Sequence, residues 1–322
     1  MTLPRTTRRR KGSSAAAPGG RPEVSPLRTF DLPTADRVLR RAELTIARKL
    51  EGVGPGAHRS ARLGEGLDLV DIREYAPGDD VRTVDWNVTA RTGHPHVRVY
   101  EADRETSAFF VLDRSASMGF GTAAATKEAL LRQLVAAVCV LILRHGNRLG
   151  GMLFGNERRA GLPLSCGRRA ALRLLQLLDD EPPAERVGSR LDLALEETGR
   201  VVRRRSIIVV VSDWLDAGAW EDPLRRLAHR HEVIAVEIRD PREYLLPAVG
   251  PLVLEDPETG RQIEIDTSRP GLREAFRAAG EVASHQRALA LAGAGAARLE
   301  VCTDRDWLAD LIRFLERRRA RR

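Results

Sequence analysis

Four short, almost uninterrupted apolar runs at residues 108–112, 149–154, 207–211 and 233–238 restrict what this chain can fold into. A strand that is apolar at every position is buried on both faces, which is the condition of a parallel sheet covered by helices on both sides. The intervening segments 126–144, 168–178, 191–202 and 219–229 place apolar residues at helical spacing. Strand and helix in alternation predict an α/β domain with a doubly wound, mostly parallel sheet. Residues 251–266 interrupt the series with two short alternating runs around a turn at 256–260, the pattern of an inserted hairpin. A helix over 270–291, a strand over 298–302 and a helix over 304–317 close the expected domain, which spans 106–318.

The preceding residues read differently. Residues 1–30 are rich in Arg, Pro, Gly, Ser and Ala and are expected to form a disordered basic tail. In the segment 31–105, Leu39, Ile46 and Leu50 fall at helical spacing behind the candidate cap Thr34, predicting a helix over 34–50. Glycines punctuate 52–66 as a loop, and short alternating runs such as 96–100 predict small strands. The density of Asp71, Arg73, Asp79, Asp80, Arg82 and Asp85 predicts ion pairs clamping this segment to the α/β domain, with Trp86 as a buried anchor.

Composition narrows the function classes. The chain has 322 residues and a net charge of +8, nearly all of the positive charge being arginine, because Lys11, Lys49 and Lys127 are the lysines. A nucleic-acid binder would use such an excess, but aromatic residues make up only 4%, which leaves little for base stacking. Cys139, Cys166 and Cys302 are far apart and odd in number, fitting neither a disulfide framework nor a CxxC metal site. With a basic start that runs into Gly, Ser and Pro, and with no apolar run of bilayer length, a cytoplasmic location is expected. His94-Pro95-His96 lacks a nearby third ligand and is weak as a transition-metal site.

The chemistry concentrates in Asp113-Arg114-Ser115-Ala116-Ser117-Met118-Gly119, directly after the first apolar run. In doubly wound sheets ligands bind outside the carboxyl ends of the strands, near the point where the strand order reverses. Asp113, Ser115 and Ser117 offer hard oxygens at alternating positions, half of the roughly six that Mg²⁺ or Mn²⁺ takes. Ser212-Asp213-Trp214 follows the third run, and Asp213 reaches the same place if the two strands are neighbours. The competing reading is that Asp113 and Asp213 only cap the helices that follow. No Gly-x-Ser-x-Gly elbow surrounds the serines and no base is assignable to them, which argues against a serine hydrolase. The rival reading is a metal-dependent hydrolase in which the ion activates water.

These residues resemble a known site. Asp-x-Ser-x-Ser-Met-Gly after one strand and Ser-Asp after a later one look like the metal-ion-dependent adhesion site of von Willebrand factor A domains. Gly64-Glu65-Gly66, Asp71-Ile72-Arg73-Glu74-Tyr75, Pro77-Gly78-Asp79-Asp80-Val81-Arg82, Asp85-Trp86 and Ala90-Arg91-Thr92 resemble the signature of the domain of unknown function 58 family. The resemblance implies a non-catalytic protein-binding module, an adaptor or chaperone-like partner of a MoxR-type AAA+ ATPase, with a divalent cation offered to an acidic residue of the partner. Many relatives carry N-terminal membrane helices, and this chain resembles the short form without them. It departs from the adhesion site in one place: Leu191 stands in the slot where a Thr is usual, so that Ser189 is the substitute ligand. Arg114, set between the ligands, is expected to lower cation affinity.

Overall fold

The computed structural model describes residues 36–37, 40, 68–77, 79–101, 107–121, 125–143, 147–155, 160–181, 189–215 and 219–320. The basic tail at 1–30, the loop at 52–66 with Gly64-Glu65-Gly66, and most of the helix expected over 34–50 lie outside the described residues. Of that helix, residues 36, 37 and 40 are helical. Asp36 accepts a hydrogen bond from Arg168 of the α/β domain at 2.9 Å.

The core is a six-stranded sheet. Its members are β3 (Ser107–Asp113), β4 (Arg148–Phe154), β5 (Gly161–Cys166), β6 (Ile207–Ser212), β7 (Glu232–Arg239) and β10 (Ala297–Cys302), in spatial order β10-β7-β6-β3-β4-β5. All neighbours are parallel except β4 and β5. The four apolar runs are β3, β4, β6 and β7, at the centre, as two-sided burial requires. The sequence pattern had not marked β5. It is an edge strand carrying Pro163, a residue tolerated only where one side of the strand is unpaired.

Helices cover both faces. α2 (Lys127–Leu143), α3 (Arg168–Asp180) and α7 (Trp307–Ala320) pack on one face against Phe110, Leu112, Val209, Val211, Val236 and Ile238. α4 (Leu191–Val201), α5 (Glu221–Arg230) and the end of α6 (Pro270–Gly293) pack on the other, against Phe109, Val111, Ile208, Val210 and Ala235. Successive residues of each strand alternate between the two clusters, the period-two geometry of a strand. Each fully buried aliphatic side chain contributes about 1.5–3 kcal/mol, so burial on both faces makes the sheet the rigid part of the molecule. β8 (Pro251–Glu255) and β9 (Gln262–Asp266) form the expected antiparallel hairpin between β7 and α6.

The segment before the sheet forms a two-stranded antiparallel ribbon of β1 (Asp68–Glu74) and β2 (His96–Glu101), bridged by α1 (Trp86–Thr92). Some of its polar residues bond locally: Arg73 pairs with Asp79 at 2.7 Å, Asp80 caps the turn at Arg82, and Asp85 caps α1. Trp86 corrects the expectation of a buried anchor. At the first position of α1 it is 69% exposed, and the neighbours that are buried are Val84, Asp85 and Val97. The His96 ring contacts the His94 carbonyl at 2.7 Å and the Thr92 hydroxyl at 3.1 Å, so its Nδ1 is taken up in the local turn.

Candidate functional site

β3 and β6 lie side by side with Leu112 opposite Val211, so Asp113 and Ser212 end adjacent strands at the same level. From β3 the chain winds one way to β4 and β5, and from β6 the other way to β7 and β10, which makes their carboxyl ends the switch point of the sheet. Asp113 is fully buried there. Its Oδ2 accepts a hydrogen bond from the Ser212 hydroxyl at 2.5 Å and its Oδ1 accepts one from the Ser115 N–H at 2.8 Å. The Ser115 and Ser117 hydroxyls are 3.0 Å apart. The two loops expected to converge do so through one carboxylate.

Each loop is held by a specific backbone device. The Arg114 N–H donates to the Phe154 carbonyl at 2.7 Å, continuing the β3–β4 pairing into the first loop. Beyond it Gly155 has φ +86°, and a Cβ there would lie 2.5 Å from the Ser115 nitrogen and 3.0 Å from Asp113 Oδ1. Glycine alone lets the end of β4 pass this close. In the second loop Trp214 adopts φ 57°, a conformation that costs a non-glycine residue on the order of 1–3 kcal/mol. Its indole offsets that cost: it is buried, donates to the Val236 carbonyl at 3.0 Å, and meets Trp220 edge-on at 5.1 Å. The Trp214 N–H donates back to the Ser212 hydroxyl at 3.1 Å. This turn fixes the position of Asp213.

Asp213 does not merely cap a helix. Its Oδ2 accepts a hydrogen bond from the ammonium of Lys127 at 2.7 Å, and its Oδ1 accepts one from the Leu215 N–H at 3.2 Å. Lys127 begins α2, is fully buried, and also donates to Glu243, which lies in the turn after β7. Sequence reasoning missed both residues. A lone lysine at a helix start reads as a solvated side chain, and Glu243 reads as the last residue of the Asp240–Glu243 capping box, a local role that hides its reach to Lys127. The signal that could have found them is positional, since the helix after β3 opens on lysine and the turn after β7, the neighbour of β6, carries Glu243.

Two carboxyl groups, Asp213 and Glu243, therefore share one ammonium, and the charge of Asp213 also acts on the buried Asp113 carboxyl. Burial, with the charge of Asp213 added to it, pushes the Asp113 carboxyl up to about 7, against hydrogen bonds from Ser212 and Ser115 that act the other way. Burial also raises Glu243, with Lys127 opposing it. Burial by itself would lower Lys127, but Asp213 and Glu243 together raise it, so the ammonium stays charged. The cluster is short of positive charge.

Ser189 lies just before α4, buried, and its hydroxyl has no hydrogen-bond partner among the described residues. No described bond joins it to the other predicted ligands. Leu191 is wholly buried in the apolar cluster behind β3, so it supplies packing in place of an oxygen. Arg114 behaves differently from the expectation. Its guanidinium turns away from the two serines to the Leu178 and Glu181 carbonyls at the end of α3 and to Glu128, so its charge serves a helix terminus. Among the described residues no group of three His, Cys, Asp or Glu side chains is gathered as a metal-ion site. The oxygens that could hold a hard cation are instead mixed: the Asp113 carboxylate, the Ser115 and Ser117 hydroxyls, Asp213, and the unpartnered Ser189 hydroxyl. Carboxylate and hydroxyl oxygens of this kind suit Mg²⁺ or Mn²⁺.

The sequence model of the family described as "Protein of unknown function DUF58" matches residues 71–287. The chain belongs to the DUF58 family. Uncharacterized proteins of Mycobacterium bovis and Mycobacterium tuberculosis are 43% identical to this DUF58 chain over 90% of its length and 92% of theirs. Among solved structures it is similar to a conserved hypothetical protein, BatB, of Bacteroides thetaiotaomicron, with a TM-score of 0.45, 15% identity, and coverage of 67% of this chain and 99% of that one. It is similar also to a von Willebrand factor type A protein of Catenulispora acidiphila, with a TM-score of 0.38, 12% identity, and coverage of 68% and 42%. The strand order and the helices on both faces make the sheet of this DUF58 member von Willebrand factor A-like. No helix among the described residues is long and apolar enough to cross a membrane.

Proposed function

We propose that this chain is a non-catalytic protein-binding module that presents a divalent cation, Mg²⁺ or Mn²⁺, to an acidic residue of a protein partner. Asp113, Ser115, Ser117 and Asp213 would hold the ion, with Ser189 as a further oxygen. When bound, the ion supplies a positive charge with coordination positions left for a partner's carboxylate. The observation that carries the reading is the junction of the two loops: Ser212 donates to Asp113 at 2.5 Å, and the charge of Asp213 acts on the same carboxyl. Phe120 and Leu215, one in each loop's continuation, are exposed apolar side chains that suit a docking rim.

The partner this reading favours is a MoxR-type AAA+ ATPase, which the family resemblance suggests. Hydrolysis gains no support. The Ser115 and Ser117 hydroxyls bond to each other, the Ser212 hydroxyl bonds to Asp113, and no histidine is described as bonding to any of them. A basic nucleic-acid surface gains none either, since Arg190, Arg200, Arg225, Arg277 and Arg313 are paired with nearby acids. The test is capture of the MoxR-type ATPase by the full chain with and without a chelator, and by the Asp113→Ala chain. Capture lost in both conditions is expected, and capture that ignores both removes the cation from the function.

A further inference from the structure

The proposed cation site already contains a positive charge of its own. Lys127 reaches it from the first turn of α2 with none of its side chain exposed, and donates to carboxyl groups from two different strand ends, Asp213 after β6 and Glu243 after β7. A lysine ammonium is a compact charge with three donors, able to hold two carboxylates while keeping one direction for a third group. Two of its partners are defined here. One of these, Asp213, follows directly on Ser212, whose hydroxyl bonds to Asp113 at 2.5 Å beside the Ser115 and Ser117 loop.

We propose that Lys127 is the resident cation of this site and sets its affinity for metal, because a divalent ion bound at Asp113, Ser115 and Ser117 must draw Asp213 away from the Lys127 ammonium. The inference rests on the cation reading above and goes beyond it by naming the competitor. The geometry favours competition over simple repulsion. Asp213 uses Oδ2 for Lys127 and Oδ1 for the Leu215 N–H, so neither oxygen is idle while Lys127 holds it. Glu243 is the outermost member, with 19% of its side chain exposed, and it gives the displaced ammonium an acid to keep. Its other oxygen accepts from the Asp240 N–H at 3.0 Å, which fixes it to the turn after β7. Lys127 thus has an anchor on each side, one that the metal needs and one that it does not.

The two anchors make opposite predictions for two substitutions. Lys127→Met removes the competitor and leaves Asp213 and Glu243 uncompensated, so Mn²⁺ should bind at least about tenfold more tightly, the equivalent of one pKa unit of free energy. Glu243→Gln concentrates the ammonium on Asp213 and takes a negative charge from the site, so Mn²⁺ should bind several-fold more weakly. A side chain that only kept the fold in order would move both variants the same way. The experiment is calorimetric titration of the full-length chain and both variants with MnCl₂, alongside their thermal melting with and without the ion. Tightening in Lys127→Met with weakening in Glu243→Gln supports the proposal. Shifts in the same direction, or a Lys127→Met affinity equal to that of the unaltered chain, overturn it while leaving the cation reading standing. Binding that appears only in Lys127→Met supports Lys127 as resident cation and overturns the cation reading for the unaltered chain. Silence in all three proteins defeats both ideas. If Lys127→Met does not fold, Glu243→Gln decides: weaker binding supports the proposal, and equal or tighter binding overturns it.

Discussion

Two buried charge clusters sit on the same sheet and are composed in opposite ways. At the β7–β10 edge, Glu237 is fully buried and receives Arg287 at 3.1 Å and Arg298 at 2.6 Å, and Arg298 goes on to Glu300 at 2.6 Å. Two guanidiniums meet one interior carboxylate there. At the carboxyl ends of β6 and β7 the ratio is inverted, with Asp213 and Glu243 sharing the ammonium of Lys127, and the charge of Asp213 bears on the buried Asp113 at the end of β3. A buried charge with its partners in place holds a structure together, and a buried site short of one sign is poised to take it from outside. The first cluster is a fastening. The second, in the function proposed above, takes up positive charge.

Removing the interior acid from each cluster should separate them most sharply. Glu237→Gln takes the buried charge from Arg287 and leaves Arg298 with Glu300, and we expect a loss of roughly 3 kcal/mol of stability, read as a lower melting temperature with Mn²⁺ affinity unchanged. Gly155→Ala touches no charge but forces a methyl group against the Ser115 nitrogen at positive φ. It should cost about 2 kcal/mol and abolish Mn²⁺ binding together, since the strand end and the ligand loop cannot both keep their places. Equal metal affinity in this variant would show that the loop geometry is not what makes the site.

Asp113→Asn should act with the opposite sign to Glu237→Gln. The carboxyl of Asp113 is raised from 3.8 to about 7 in the folded chain. Below pH 4 it is protonated folded or unfolded and costs nothing. As pH rises towards 7 the unfolded chain sheds this proton first, so the wild-type chain loses stability, and the loss is complete above about pH 7. In chelator the Asn variant should therefore be more stable by on the order of 1–2 kcal/mol at pH 8, the difference closing as pH falls to 4. Denaturant melts across that range measure it, and a variant less stable than wild type at pH 8 would place Asp113 with the structural acids.

The legible parts of the molecule are those where one strong rule operates. β3, β4, β6 and β7 announce themselves because two-sided burial leaves their centres almost wholly apolar, Glu237 of β7 being an exception, and their order places Asp113 and Asp213 on adjoining loops. β5 escapes because an edge strand is half exposed and Pro163 looks like a breaker. The meeting of the two strand-end loops was legible, because the placing of Asp113, Ser115, Ser117 and Asp213 after strands carries that signal, and their role as ligands belongs to the proposal. Beyond that, direction matters more than position. Arg114 lies between ligands in sequence yet points to the end of α3, and Lys127 lies outside the motif yet points into it. Which way a long side chain turns is decided by tertiary partners from distant strands, and no local pattern contains them. Trp86 shows the same limit, since a large apolar side chain beside dense charges is as compatible with an exposed helix start as with a buried anchor.

The account depends on positive charge being wanted at the carboxyl ends of β3 and β6. Titration of the full-length chain with Mn²⁺, followed by calorimetry, tests this directly when the Asp113→Ala and Glu237→Gln chains are measured beside it. Saturable binding kept in Glu237→Gln and gone in Asp113→Ala is the predicted result. Binding that survives the loss of Asp113, or no binding to the unaltered chain, contradicts it.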